Sequence, residues 1–249
     1  MKVRSLMKNI LLMISPTYRS INNMERTLTF LFNKVESLEM RDAPLNRCRY
    51  MFKKARDNDI DNYLDYFRLS SLELIASKIK EEKIPGECAE LGVFQGEFAR
   101  FINKYFPDRI LYLFDTFEGF DVRDTTYDDK NNYRKKIHAF SNTNTRLVLD
   151  KMPYPEKCII KEGYFPESID NDILSEFCFV SIDVDLYKPT YAGLEYFYSK
   201  LVKGGVIFVH DYENCDYAGV KQAVKDFSKN YGLSYFIMSD ICGSAVFIK

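Results

Sequence analysis

The chain has 249 residues with 35 basic and 36 acidic side chains, a formal net charge of −1, and 46% hydrophobic residues. That length suits one large domain, or one domain with an appendage, and the apolar share is enough for a sizeable core. The balanced charge, with no basic stripe and interleaved aromatics, excludes the usual footprint of a nucleic-acid binder.

The first forty residues stand apart. Val3, Leu6, Met7, Ile10 and Ile14 follow a helical period with Lys2, Arg4 and Lys8 outside it. This reads either as a basic amphipathic helix on a membrane or partner surface, or as a helix packed on its own domain. After Ser15-Pro16, the residues Ile21, Met24, Leu28, Leu31, Val35 and Leu38 form a heptad seam, the pattern of a helix that joins copies into a homo-oligomer or packs on itself. The apolar run Ile10 to Ile14 is too short to span a membrane and short even for a signal peptide. Residues 41–84 read as a helical lead-in that closes at Pro85-Gly86.

From residue 85 to 249 strands and helices alternate. Strands are expected at 87–91, 110–114, 158–161, 177–182 and 206–209, with helices at 96–106, 190–201 and 220–230. A closing hairpin takes 235–239 and 244–248, with its last strand antiparallel. Near-continuous apolar strands alternating with helices imply an α/β fold built on a mostly parallel sheet. The six cysteines include no C-x-x-C pair, which argues against zinc and for a reduced, cytoplasmic setting.

Each strand before the hairpin ends at or near an acid: Glu90, Asp115, Glu162, Asp183 and Asp211. Ligands of open α/β sheets bind beyond those ends, so convergent acids there mark a site, whereas a lone one such as Glu162 is ordinary surface. The first junction, Glu90-Leu-Gly92-Val-Phe-Gln-Gly96, offers Gly92 for a tight turn and Gly96 for a helix start. It lacks the middle glycine of a dinucleotide fingerprint. An acid at the end of the second strand, Asp115, can accept both hydroxyls of a ribose. A nucleoside without a pyrophosphate cradle points to S-adenosylmethionine rather than NAD.

The segments E-L-G-V-F-Q-G, L-F-D-T-F-E-G-F, I-D-V-D-L-Y-K-P-T and G-G-V-I-F-V-H-D-Y, in this order, resemble the macrocin O-methyltransferase family over residues 85–232. The resemblance implies a Rossmann-like S-adenosylmethionine-dependent methyltransferase fold and a magnesium-assisted transfer to a sugar hydroxyl. It assigns Glu90, Gly92 and Gly96 to the methionine-side loop, and Asp115, Thr116 and Phe117 to the ribose turn. Asp183 and Asp211 become ligands of Mg2+. The family's paired Asp-Asp is His210-Asp211 here, which leaves His210 open as a ligand, a general base or a group outside the ligand set. Asp183 is the rival base.

Asp185 is expected to turn away from Asp183 and hold the loop, and Lys188-Pro189 to begin a helix rather than serve chemistry. The polar stretch from Asp121 to Lys136 reads equally as a lid or acceptor-binding loop and as a solvated surface helix. Two other functions fit parts of the chain. A nucleotide-sugar glycosyltransferase would use Asp183 and Asp185 as a D-x-D motif, and a non-catalytic interaction protein would use the heptad helix. The expected acceptor is a small molecule or glycan, with no nucleic acid and no transmembrane segment.

Overall fold

A computed structural model describes residues 66–135, 140–169 and 175–249. The chain divides into two compact units, Met1–Ile60 and Asp61–Lys249, and every described residue belongs to the second. The amphipathic and heptad expectations for residues 1–40 lie outside the described residues. No helix among the described residues is long and apolar enough to cross a membrane.

Among the described residues seven strands form one sheet: β1 (Glu87–Leu91), β2 (Leu111–Asp115), β3 (Cys158–Glu162), β4 (Phe177–Ile182), β5 (Leu201–Val209), β6 (Phe236–Ile237) and β7 (Ala245–Ile248). Their order is β3-β2-β1-β4-β5-β7-β6. Strands β1 to β5 pair in parallel, and β7 runs antiparallel to both β5 and β6. All six residues of β4 are buried, as a central strand covered on both faces requires.

The helices are α1 (Tyr66–Glu81), α2 (Ala99–Tyr105), α3 (Val122–Lys130), α4 (Thr145–Leu149), α5 (Tyr187–Lys200) and α6 (Ala218–Tyr231). The β1–β2 and β4–β5 crossovers step in opposite directions along the sheet, so a common right-handedness puts α2 and α5 on opposite faces. Accordingly α1 packs on α2, while α5 packs on α3 and α6. Between β1 and β4 the strand order reverses, and there the two crossovers diverge and open a crevice at the carboxyl ends.

Two elements differ from the sequence reading. Strand β5 begins at Leu201 rather than at residue 206, so Lys203-Gly204-Gly205 lies inside a strand instead of ending a helix. Its pairing with β4 slips between Leu201 and Val206, and a Cβ on Gly205 would fall 2.9 Å from the Val202 carbonyl oxygen. Glycine there serves an irregular strand. Residues 122–130 are helical, with Asp121 capping α3 by accepting from the Arg123 amide, so the stretch expected as a lid or a solvated helix is a helix. It is not simply solvated either, because Asp124 and Asp128 are buried.

The core on the α5 face centres on Phe197, which is fully buried. Its ring stacks on Phe165 at 5.8 Å and meets Phe114 and Phe177 edge-on at 5.6 and 5.3 Å. Truncating Phe197 to alanine should cost about 3–5 kcal/mol from lost transfer energy and the cavity left behind. Urea unfolding of Phe197→Ala should show a lower midpoint at an unchanged slope, and a midpoint equal to the wild type's would remove Phe197 from the centre of the core.

Candidate active site

The crevice is a cleft of about 300 Å³ lined from the carboxyl ends of β1, β2, β4 and β5 and by the loop after β3. At its floor β1 and β4 come very close. A Cβ on Gly92 would lie 2.0 Å from the Asp183 carbonyl oxygen, and φ there is +86°. Only glycine can carry the chain through that point. The loop beyond it is held by Asp115, whose Oδ2 accepts from the amides of Val93 and Phe94 at 2.7 and 2.8 Å. Its Oδ1 accepts from the Phe117 amide at 2.7 Å. Three of roughly four acceptor positions on this carboxylate are therefore taken by backbone, leaving room for one ribose hydroxyl rather than the expected two.

Beyond β4 and β5, Asp183, Asp185 and Asp211 each offer a carboxylate oxygen within 4.8 Å of the others. Asp185 does not turn away: it adopts φ +60° and Asp211 φ +59°, left-handed conformations that swing both side chains to the same rim. His210 lies among the acids. Its Nδ1 is 3.1 Å from Asp183 Oδ1 and 3.2 Å from Asp211 Oδ2, so one ring nitrogen serves two carboxylates. Arg68, from α1, completes the cluster by donating to Asp183 Oδ2 and to Ser181 Oγ, both at 3.0 Å.

These contacts set the charges. Burial and the Arg68 charge pull the His210 imidazole down, but the Asp183 charge and the hydrogen bonds to Asp183 and Asp211 prevail and raise it to about 10. His210 is thus an imidazolium at neutral pH. Burial pushes the Asp183 and Asp211 carboxyls up, yet His210, with Arg68 on Asp183, brings both below the usual range. Asp185 goes the other way, raised by burial and by Asp211 and Asp183, and no ion pair reaches it among the described residues. Glu90 is 1% exposed and also raised, first by burial.

The remaining walls are aromatic. Phe140 meets Phe94 edge-on at 5.3 Å and Phe120 at 5.2 Å. Tyr164 donates to Asp124 at 2.9 Å and lies under the Arg123 guanidinium. Of the residues expected from sequence, Glu90, Gly92, Asp115, Thr116, Asp183, His210 and Asp211 line the cleft, whereas Gly96 and Phe117 do not. Gly96 instead passes against Val148 and Met152 at φ +78°, and Phe117 is buried with its amide on Asp115. Arg68, Phe120, Phe140 and Tyr164 were not found by sequence reasoning. Only the aromatic richness of the flanking loops hinted at the last three.

The Macrocin-O-methyltransferase (TylF) family model matches residues 14–249. The chain belongs to the macrocin O-methyltransferase family. It is accordingly an S-adenosylmethionine-dependent O-methyltransferase, and membership removes the glycosyltransferase reading of Asp183 and Asp185. The family match also reaches well N-terminal to residue 85, where the quoted motifs begin.

Among curated relatives, the chain is 24% identical over 193 residues, 72% of each chain, to the 8-demethyl-8-(2,3-dimethoxy-alpha-L-rhamnosyl)-tetracenomycin-C 4'-O-methyltransferase of Streptomyces olivaceus. It is also 24% identical over 181 residues to the mycinamicin III 3''-O-methyltransferase of Micromonospora griseorubida, covering 67% of this chain and 70% of that one. The structure of the O-methyltransferase NovP superposes with a TM-score of 0.59 at 18% identity, over 74% of this chain and 80% of that one, which supports the fold.

Helix α3 is tied to α5 by Asp128, whose oxygens accept from the Tyr187 amide at 3.3 and 3.2 Å. Burial raises this carboxyl to about 6, although the Tyr187 amide lowers it. With the folded value raised, the native chain holds a proton that the unfolded chain releases, so this group's contribution falls as pH rises from about 4 to about 6. Asp128→Asn cannot lose that proton. Its stability relative to wild type should therefore climb across that window and level off above it in denaturant titrations; a difference independent of pH would exclude the effect.

Proposed function

We propose that this methyltransferase moves the sulfonium methyl of S-adenosylmethionine to a sugar hydroxyl of a glycosylated small molecule, with a divalent cation held at Asp183, Asp185 and Asp211. The convergence of those three carboxylates beside a cofactor-sized cleft carries the reading. An all-oxygen donor set suits a hard cation such as Mg2+ and not a thiophilic one. His210, Asp211 and Cys242 form a second convergent group, but the Cys242 thiol is pushed up to about 12 by burial and by Asp211, which leaves it a poor ligand. The glycosidic acceptors named for both curated relatives support the substrate class.

A cation bound at this rim supplies a Lewis acid that lowers the pKa of a neighbouring hydroxyl. The chain's own residues do the rest. Arg68 and His210 fix Asp183 from two sides, and His210 with the Asn214 amide fixes Asp211, so the ligand oxygens stand oriented before anything binds. Since its Nδ1 already bridges two carboxylates, His210 serves best as an orienting group, not as a ligand or base. With a cation held through one oxygen of each acid, the second oxygen of Asp185 would be left to take the proton lost by the hydroxyl, since no ion pair among the described residues reaches it. Phe94, Phe120 and Phe140 offer apolar walls that keep water from the sulfonium.

Chelation should abolish methyl transfer to a panel of glycosides and leave S-adenosylhomocysteine binding within about twofold, because the cofactor-facing groups belong to β1 and β2. Asp211→Asn should behave alike, with Mn2+ binding lost by paramagnetic resonance. Full turnover in excess chelator, with no metal in the purified protein, would end the metal proposal. Asp115→Ala removes both the expected ribose acceptor and the clamp on the Val93–Phe94 amides. It should weaken S-adenosylhomocysteine by about 1.5–3 kcal/mol in calorimetry, and unchanged affinity in a folded variant would overturn the role.

A further inference from the structure

The two loops that carry the rim acids are both anchored to one segment, α3 and the residues just after it. The loop after β4 runs only from Asp183 to Leu186, between the end of β4 and the start of α5. Its near end is fixed where the Asp183 amide donates to the Leu91 carbonyl at 2.8 Å. At its far end Asp128 accepts from the Tyr187 amide, and Lys188 Nζ donates to the Arg123 carbonyl at 3.0 Å. The Tyr187 ring also packs on those of Tyr127 and Tyr133, at 5.2 and 5.8 Å.

The loop after β5 is gripped by the same segment. Arg134 bridges to Tyr217, and the Lys135 amide donates to the Asp216 carbonyl at 2.9 Å. The Asp216 amide donates in turn to Asn214 Oδ1, whose Nδ2 holds Asp211 Oδ1, both at 3.0 Å.

Asp128 lies at the centre of this junction and is fully buried. It does for α5 what α5 does not do for itself. Leu186 at the N-cap makes no side-chain cap, and the first turn of α5 contains no acid. A helix start presents unmade amides and partial positive charge, and a carboxylate brought from another helix answers both. The space is cut to fit it. A Cβ on Gly219, in the first turn of α6, would lie 2.5 Å from Asp128 Oδ2 and 3.0 Å from the Tyr187 nitrogen. Glycine is a poor helix former, and here it is the residue that lets three helices meet at one carboxylate.

We infer that Asp128 is a positioning residue for the acidic rim. By capping α5 from α3, it fixes where the loop after β4 ends, and so where Asp185 stands relative to Asp211. This rests on the proposal that Asp183, Asp185 and Asp211 hold a divalent cation. Asp183 has Arg68 and His210 to hold it, but Asp185 has a left-handed φ and no ion pair among the described residues. Asp185 is therefore the acid whose place depends most on the anchored end of its loop.

Mn2+ binding to the full chain, followed by paramagnetic resonance, tests the assignment. Asp128→Ala should weaken Mn2+ about tenfold or more, the usual cost of losing a group that orients a metal ligand. It should leave S-adenosylhomocysteine within about twofold, because β1 and β2 are not part of the junction. Asp128→Asn, which keeps one acceptor oxygen for the Tyr187 amide, should recover most of the Mn2+ affinity. Gly219→Ala should reproduce the weakening with Asp128 intact, because its methyl group would displace the carboxylate.

Unchanged Mn2+ affinity in Asp128→Ala or Gly219→Ala, with only a lower urea midpoint, would reduce Asp128 to a helix cap and overturn the inference. So would equal losses of Mn2+ and S-adenosylhomocysteine, the mark of a cleft that has collapsed as a whole. A wild type that binds no Mn2+ would instead sink the cation proposal beneath it.

Discussion

Mutual repulsion among carboxylates is the constraint around which the acidic end of the cleft is arranged. Three of them crowd the rim beyond β4 and β5, each costly to desolvate and each worsening the others. The chain holds them with one arginine and one histidine, and both choices are geometric. The guanidinium fork spans Asp183 and Ser181, and a single imidazole nitrogen spans Asp183 and Asp211. Neither basic group contacts Asp185. The rim is left with an excess of negative charge that a divalent cation would offset, and its carboxylates are already held in place by protein contacts.

The same economy governs the other end of the cleft. Asp115 ties down the loop that follows β1, making the turn rigid at Val93 and Phe94. Gly92 allows the end of β1 to touch the residue after β4, so the loop proposed to face the cofactor runs directly beside Asp183 of the acidic rim. A structure in which the two halves of a reaction are so close needs little motion to bring reactants together, and alignment of this kind can supply a large share of a rate enhancement.

The strands and the acids that end them were legible in the sequence because buried parallel strands write themselves as apolar runs, and a rim acid interrupts the run. The strand boundaries at 87–91 and 177–182 match the structure residue for residue. Residues in irregular backbone were not legible. Alternation gives no rule for a side chain once the strand has ended, so Asp185 was expected to point away, while its left-handed φ turns it inward. Lys203-Gly204-Gly205 looked like a helix terminator because glycine pairs usually are, and the slipped register with β4 was invisible. Arg68 was beyond reach for another reason: it lies more than a hundred residues from Asp183, on a helix without a motif, and nothing local in its sequence marks it.

Asp185 and Asp211 carry a further consequence. A branched-free but β-carbon-bearing residue held near φ +60° costs on the order of 1–3 kcal/mol, a cost glycine would not incur. Both positions are thus places where the chain forgoes stability to keep an acid. Any lineage or laboratory selection that rewards heat resistance alone would drift toward glycine or asparagine at 185 and 211, ending with a sturdier fold and fewer carboxylates at the rim. If the proposed cation is held there, a homologue bearing small neutral residues at both positions would have exchanged it for stability.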